Sequence, residues 1–186
     1  MRHLLVFAAV AAAAPAARAD WYADAVKSVA AKIEPAEAKP GQTVTHSVTV
    51  QLNDGYHTYP VKQPEKPAAA FVNRITYPDL PELIFVGETE DPADADVKAE
   101  PELGIQMLRT HHGTVTYRRT AVVSPRAAAG DVTVTLKAFK LTVCDKANCY
   151  PTKTLTPAAT VKVLPGPAVE VEAAHRAAVE KALAGK

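Results

Sequence analysis

Cys144 and Cys149 are the residues whose type and spacing point most directly to chemistry. Asp145-Lys146-Ala147-Asn148 separates them, and the chain has no third cysteine to compete for either. Two cysteines flanking a short turn can bring their Cα atoms within the roughly 4.4 to 6.8 Å that a disulfide requires. In the chain-entropy model, a bridge closing a loop of about six residues contributes roughly 2 kcal/mol, against roughly 4 for a loop of about sixty. As a staple it is weak. A short-loop bridge at an exposed hairpin is also open to an attacking thiolate, the step on which disulfide exchange depends. Spacing and context leave two readings open, a structural staple and a redox pair.

The same residues make a poor metal centre. Structural zinc wants four ligands, and two cysteines with no histidine near them in sequence supply half of one site. Blue copper wants a histidine, usually with a methionine, soon after the cysteine, and neither follows Cys144 or Cys149 at such spacing. No metal and no organic cofactor is expected.

The compartment decides whether such a pair is oxidised. Arg2 and His3 precede an apolar run from Leu4 to Ala14, and Ala17-Arg18-Ala19 places small residues just before Asp20. This predicts a secretory signal peptide over residues 1–19. The run is about half the roughly 20 residues of a membrane span, so no insertion is expected after cleavage. The mature protein is expected to be soluble and periplasmic or otherwise exported, where paired cysteines tend to be oxidised.

The elements that position the cysteines follow from composition and period. The chain has 186 residues, 48% of them hydrophobic, so one domain with its own core is expected. Lys plus Arg is 21 against 20 Asp plus Glu, which gives no net pull toward nucleic acid or an anionic membrane. Fifteen prolines against eight glycines and 6% aromatic content favour short strands joined by proline-marked turns.

Residues 20–38 are Ala-rich and read as a helical beginning. Val44, His46, Val48, Val50 and Leu52 alternate with polar residues, which marks a half-buried strand. In it His46 reads as a core or rim histidine. Asn53-Asp54-Gly55 marks a turn before Tyr56-His57-Thr58-Tyr59. Further strands are expected at Phe71 to Tyr77, Glu82 to Val86, Thr114 to Val123, Asp131 to Cys144 and Lys153 to Val163, the last broken near Pro157. Glu88 to Glu102 holds seven acidic residues and one lysine and reads as a solvated loop. The pattern predicts an all-β, immunoglobulin-like antiparallel β-sandwich over residues 20–164. Residues 165–186 then form a helix or flexible tail.

Three features together resemble a known family, the amino-terminal periplasmic domain of the thiol:disulfide interchange protein DsbD and its stand-alone relatives. One is Asp54-Gly55-Tyr56-His57-Thr58-Tyr59 directly after the first long strand. Another is Val143-Cys144 through Cys149-Tyr150-Pro151. The third is their order in a β-rich exported domain with Lys39-Pro40-Gly41 before the first motif. Thr152 stands where many members have a second proline, and the acidic stretch before Gly104 is unusual for the family.

The resemblance implies that the pair accepts electrons from a thioredoxin-like donor, or from a membrane thiol reductase, and passes them to oxidised partners. It implies that Cys149 forms the mixed disulfide and Cys144 resolves it. It also implies a cap loop over the pair, for which Arg109-Thr110-His111-His112-Gly113 is the positional match. Tyr56, Tyr59, Tyr150 and Pro151 would wall the site, although ordinary core aromatics explain the tyrosines equally well. His111 and His112, as strand neighbours, point to opposite faces and are poor candidates to hold one metal together. A monomer is expected. A binding sandwich with a structural disulfide, and a metal-handling domain built on the cysteines and histidines, remain alternative readings.

Overall fold

The computed structural model describes residues 20–185, so the predicted signal segment lies outside the described residues. The chain opens with one helical turn, α1 (Trp21–Ala25), capped by the Asp20 carboxylate, which accepts from the Tyr22 N–H. The helical reading of residues 20–38 is corrected beyond that turn. From Val26 to Glu34 the chain is strand β1, paired antiparallel with the long strand β3 (Thr43–Leu52), and Glu37–Ala38 forms the short β2. The helix preference of Ala30 and Ala31 is overridden because Val26 and Ile33 bury their side chains only as parts of a sheet.

Next come β4 (His57–Thr58), β5 (Arg74–Thr76), β6 (Leu83–Phe85), β7 (Asp96–Glu100), β8 (Ile105–His112) and β9 (Thr114–Val123). The remaining strands are β10 (Gly130–Thr135), β11 (Ala138–Leu141), β12 (Val143–Cys144), β13 (Lys153–Leu155) and β14 (Ala158–Val163), followed by helix α2 (Ala173–Ala184). The strands pair in the orders β1-β3-β9-β6, β10-β14-β2, β13-β11-β5 and β12-β4-β8-β7. All these pairings are antiparallel except β14 with β2.

The first sheet is one wall of the sandwich. Its inward residues Val48, Val50, Val115 and Tyr117 meet Phe139 and Leu141 of β11. Val44, Ala121 and Val123 meet Val134 of β10 and Val161 and Val163 of β14. This is the antiparallel, immunoglobulin-like sandwich that the alternating pattern predicts. A smaller cluster of Tyr59, Ala68, Ile105, Leu108 and Cys144 lies apart from these two, and the cysteine chemistry is built into it.

The segment after residue 164 is docked by packing. Val179 is buried against Ile84, Val86 and Val122. The strap leading to α2 crosses the β2–β3 turn, where the Val169 N–H donates to the Pro40 carbonyl at 2.8 Å. Gly41 sits there at φ +85°, and a Cβ on it would lie 2.1 Å from the Val169 oxygen, so only glycine fits. Among the described residues no helix is long and apolar enough to cross a membrane.

Candidate functional site

The site begins with how β12 is held. Cys144 pairs with His57 and Val143 with Thr58, while His57 and Thr58 pair on their other side with His112 and His111 of β8. Beyond Cys144 the chain turns back, so that Cys144 and Cys149 face each other as an antiparallel bridge. Their sulfurs are bonded at 2.04 Å, with the Cα atoms 4.0 Å apart.

Asp145 shapes this turn. Its Oδ1 accepts from the N–H groups of Ala147 at 2.7 Å and Asn148 at 2.6 Å, and its Oδ2 accepts from the Tyr150 hydroxyl at 2.6 Å. The Tyr150 hydrogen bond, followed by the two backbone bonds, holds the Asp145 carboxyl down at about 2. The same bond pushes the Tyr150 phenol up to about 12.

One bond joins two unlike sulfurs. Cys144 is 1% exposed, whereas Cys149 is exposed at the surface. The Tyr59 hydroxyl lies 3.2 Å from Cys144 Sγ and 3.6 Å from Cys149 Sγ. A disulfide sulfur carries no hydrogen, so the phenol is the donor in both contacts. Burial, with a smaller contribution from the Glu100 carboxylate, pushes Tyr59 up to about 12, which keeps that proton in place at neutral pH.

Asn73 fixes the Tyr59 backbone from behind. Fully buried, its Nδ2 donates to the Tyr59 carbonyl at 2.7 Å and to Thr58 Oγ1 at 2.8 Å, and its Oδ1 accepts from the Thr142 N–H at 2.8 Å. The Tyr117 hydroxyl also donates to the Tyr59 carbonyl at 2.7 Å. The phenol is therefore aimed at the sulfurs by a network that joins β4, the residue just before β5, β9 and the approach to β12.

The disulfide borders a cleft of about 200 Å³ lined also by His57, Tyr59, Phe71, Lys98, Glu100 and Leu103. Leu103, in the 3-10 turn Pro101–Leu103, is 56% exposed at its mouth. Two expectations are corrected here. Glu88 to Glu102 is not loop throughout, since β7 pairs with β8 from Asp96 onward. Arg109 to Gly113 is not a cap loop: Arg109 to His112 lie within β8, bonded to β7 on one edge and to β4 on the other. Gln63 closes the gap by accepting from the Arg109 N–H at 3.0 Å and donating to its carbonyl at 2.9 Å. The segment that borders the cleft beside the disulfide is instead the end of β7 with the turn that carries Leu103.

The other expected site residues divide between two faces. Tyr150 lies on the outer side of the hairpin, stacked on Trp21 at 5.3 Å and tilted against Tyr56 at 6.2 Å. Pro151 is exposed just after the hairpin. His112 reaches the rim of the site, 5.5 Å from the His57 ring and with Nε2 3.4 Å from Asp96 Oδ2. His111 points to the opposite face, buried and lining a separate hollow with Asp91 and Arg109. Burial pulls its imidazole below the usual histidine value. Among the described residues no three His, Cys, Asp or Glu side chains are grouped as a metal site requires.

Compared with known proteins, the chain matches no family model and no curated sequence. Among solved structures it is similar to the N-terminal periplasmic domain of ScsB from Proteus mirabilis, at 14% identity and a TM-score of 0.38. That match covers 84% of this chain and 51% of the other, so this chain spans about half the length of the ScsB chain. It is also similar to the seventh ScaB type I cohesin of Pseudobacteroides cellulosolvens, at 11% identity, a TM-score of 0.39, and 76% and 96% of the two chains. A third likeness is to a chain of a type I cohesin–dockerin complex from Clostridium thermocellum, at 16% identity, a TM-score of 0.37, and 74% and 100% coverage. Likenesses this distant decide neither family nor activity, and the site must be read from its own geometry.

Sequence reasoning missed His57, Asn73, Asp145 and the Lys98–Leu103 side of the cleft. His57 stood inside a motif already singled out. Asn73 carried no local signal, because its partners lie far apart in sequence.

Proposed function

We propose that the chain is an exported thiol–disulfide exchange module, in which Cys144 and Cys149 cycle between dithiol and disulfide. The observation that carries this reading is the asymmetry of the bond: Cys149 is exposed at the surface, while Cys144 is buried with a phenol hydroxyl 3.2 Å from its sulfur. A partner thiolate attacks Cys149 Sγ, the Cys144–Cys149 bond breaks, and its electron pair leaves on Cys144. The Tyr59 hydroxyl stabilises the departing thiolate. A second thiolate of the partner then attacks the partner's own sulfur in the mixed disulfide, the bond to Cys149 breaks with its electron pair leaving on Cys149 Sγ, which takes up a proton, and the dithiol form and an oxidised partner are released. Run in reverse, the same steps reduce an oxidised partner. Thioredoxin-like proteins, or a membrane thiol reductase, supply and remove the electrons, as the resemblance to the DsbD domain suggests.

The test is to equilibrate the mature protein in glutathione and thioredoxin buffers, and to trap partners with Cys144→Ala. Mixed disulfides at Cys149 are expected, with a potential inside the range these buffers can poise. A potential below about −300 mV together with no trapped adduct would place the bond among inert structural ones.

A further inference from the structure

His57 stands where a proton must move, and among the described residues no hydrogen bond ties its ring nitrogens. It is 8% exposed and lines the cleft beside both sulfurs. Its cross-strand partner is Cys144, so the two side chains share a face, and Tyr59, two residues on, shares it as well. The His57 ring meets the Tyr59 ring edge-on at 5.7 Å. Neither ring nitrogen has a hydrogen-bond partner among the described residues. A buried imidazole that lines the cleft with its ring against Tyr59 and His112 keeps one basic nitrogen that makes no hydrogen bond among the described residues.

Exchange poses a proton problem that the cysteines and Tyr59 leave unsolved. The attacking species is a thiolate, and an ordinary thiol is mostly protonated at neutral pH. Resting on the exchange reading, we propose that His57 is its general base, taking the proton of the incoming thiol as that sulfur attacks Cys149 and returning it to Cys144. The balance closes within one turnover. The S–H bond of the visitor breaks and its proton goes to the imidazole. The new bond forms to Cys149 Sγ, the old one breaks, and its electron pair stays on Cys144 Sγ. The imidazolium protonates that sulfur and is neutral again.

The surroundings suit a base. Lys98 from β7 and His112 from β8 face the ring as positive or potentially positive groups, and Glu100 from β7 and Asp145 from the hairpin face it as negative ones. Burial dominates and, with Lys98 and His112, holds the ring below the usual histidine value against the two carboxylates, so that it is neutral and able to accept a proton at pH 7.

The experiment is the pH dependence of disulfide opening by dithiothreitol, in the oxidised mature protein and in His57→Gln. Without a base, the rate follows the thiolate fraction and falls tenfold per pH unit below the thiol pKa. The native protein is expected to fall less steeply. At pH near 6.5 it should exceed His57→Gln by roughly tenfold or more, and the two should converge near pH 9.5, where the reagent supplies its own thiolate. Opening of the native protein near pH 6.5 should also be slower in deuterium oxide, which requires no variant. Equal slowing of the variant at every pH, or no slowing at any, would overturn the proposal. A native disulfide that dithiothreitol never opens would overturn the exchange reading instead.

Discussion

At the scale of single residues, the two cysteines differ in burial and in how closely one phenol approaches their sulfurs. Tyr59 touches both sulfurs, but only Cys144 is out of reach of water, so the phenol matters most when the charge of a broken bond appears on Cys144. A hydrogen bond to a charged group contributes about 1.5 kcal/mol or more, so Tyr59→Phe should slow opening by dithiothreitol roughly tenfold. Unlike the effect of His57→Gln, this loss should persist at high pH, because it acts on the leaving sulfur and not on the attacking one. Stopped-flow rates across pH separate the two. The single-cysteine variants make the matching test. Iodoacetamide should label Cys149 in Cys144→Ser readily, and Cys144 in Cys149→Ser slowly, since burial raises a thiol pKa and blocks access. Equal labelling would remove the asymmetry on which the function rests.

At the scale of elements, the cysteine hairpin is held by the first described segment of the chain, far from it in sequence. Trp21, the sole tryptophan of the chain, lies flat on Tyr150 with 9° between the ring planes, and Tyr150 is tied to the turn through Asp145. The Ala25 carbonyl accepts from the Asn53 N–H at 3.0 Å, which fixes α1 beside the β3–β4 turn. Reduction removes the bond that closes the hairpin, so Tyr150 should loosen and the Trp21 emission should shift to the red. Asp145→Ala, which deletes the turn's acceptor, should make the ring harder to close and move the potential toward the oxidising side in glutathione buffers. An unchanged emission and potential would mean that the hairpin keeps its shape without either restraint. The same elements show what could be read beforehand. β3 and β9 were legible because one face of each is buried, and strict alternation follows from that. β7 was not, since the residues from Asp96 to Ala99 are all exposed and no apolar stripe marks it. Tyr59 was legible through its motif. Asn73 was not, because its contacts join strands whose adjacency exists only in the folded sandwich.

At the scale of the whole molecule, the disulfide does little for stability, while a histidine in the sandwich core makes stability depend on pH. Cys144→Ser with Cys149→Ser should cost about 2 kcal/mol and leave the two main apolar clusters folded, as urea unfolding would report. His46 is 0% exposed, edge-on to Tyr77 at 5.4 Å and Phe85 at 6.1 Å, with no hydrogen-bond partner for either ring nitrogen among the described residues. Its cross-strand neighbour is Arg119, whose guanidinium lies 4.8 Å from the Tyr77 ring centre. Burial holds the imidazole at about 4, against about 6.5 in the unfolded chain. The unfolded state therefore binds the extra proton first. The stability that a neutral His46 provides is complete above about pH 6.5 and drains away as the pH falls toward 4, by on the order of 3 kcal/mol. His57 and His111, also lowered by burial, drain in the same direction and steepen the slope. His46→Phe keeps a ring in the slot and removes the proton, so the drop in urea midpoint between about pH 7 and about pH 4.5 should be visibly smaller in that variant. If the two proteins lose stability in parallel, His46 does not become charged in the unfolded chain ahead of the folded one. The acid sensitivity would then belong to the histidines around the disulfide and to the carboxylates.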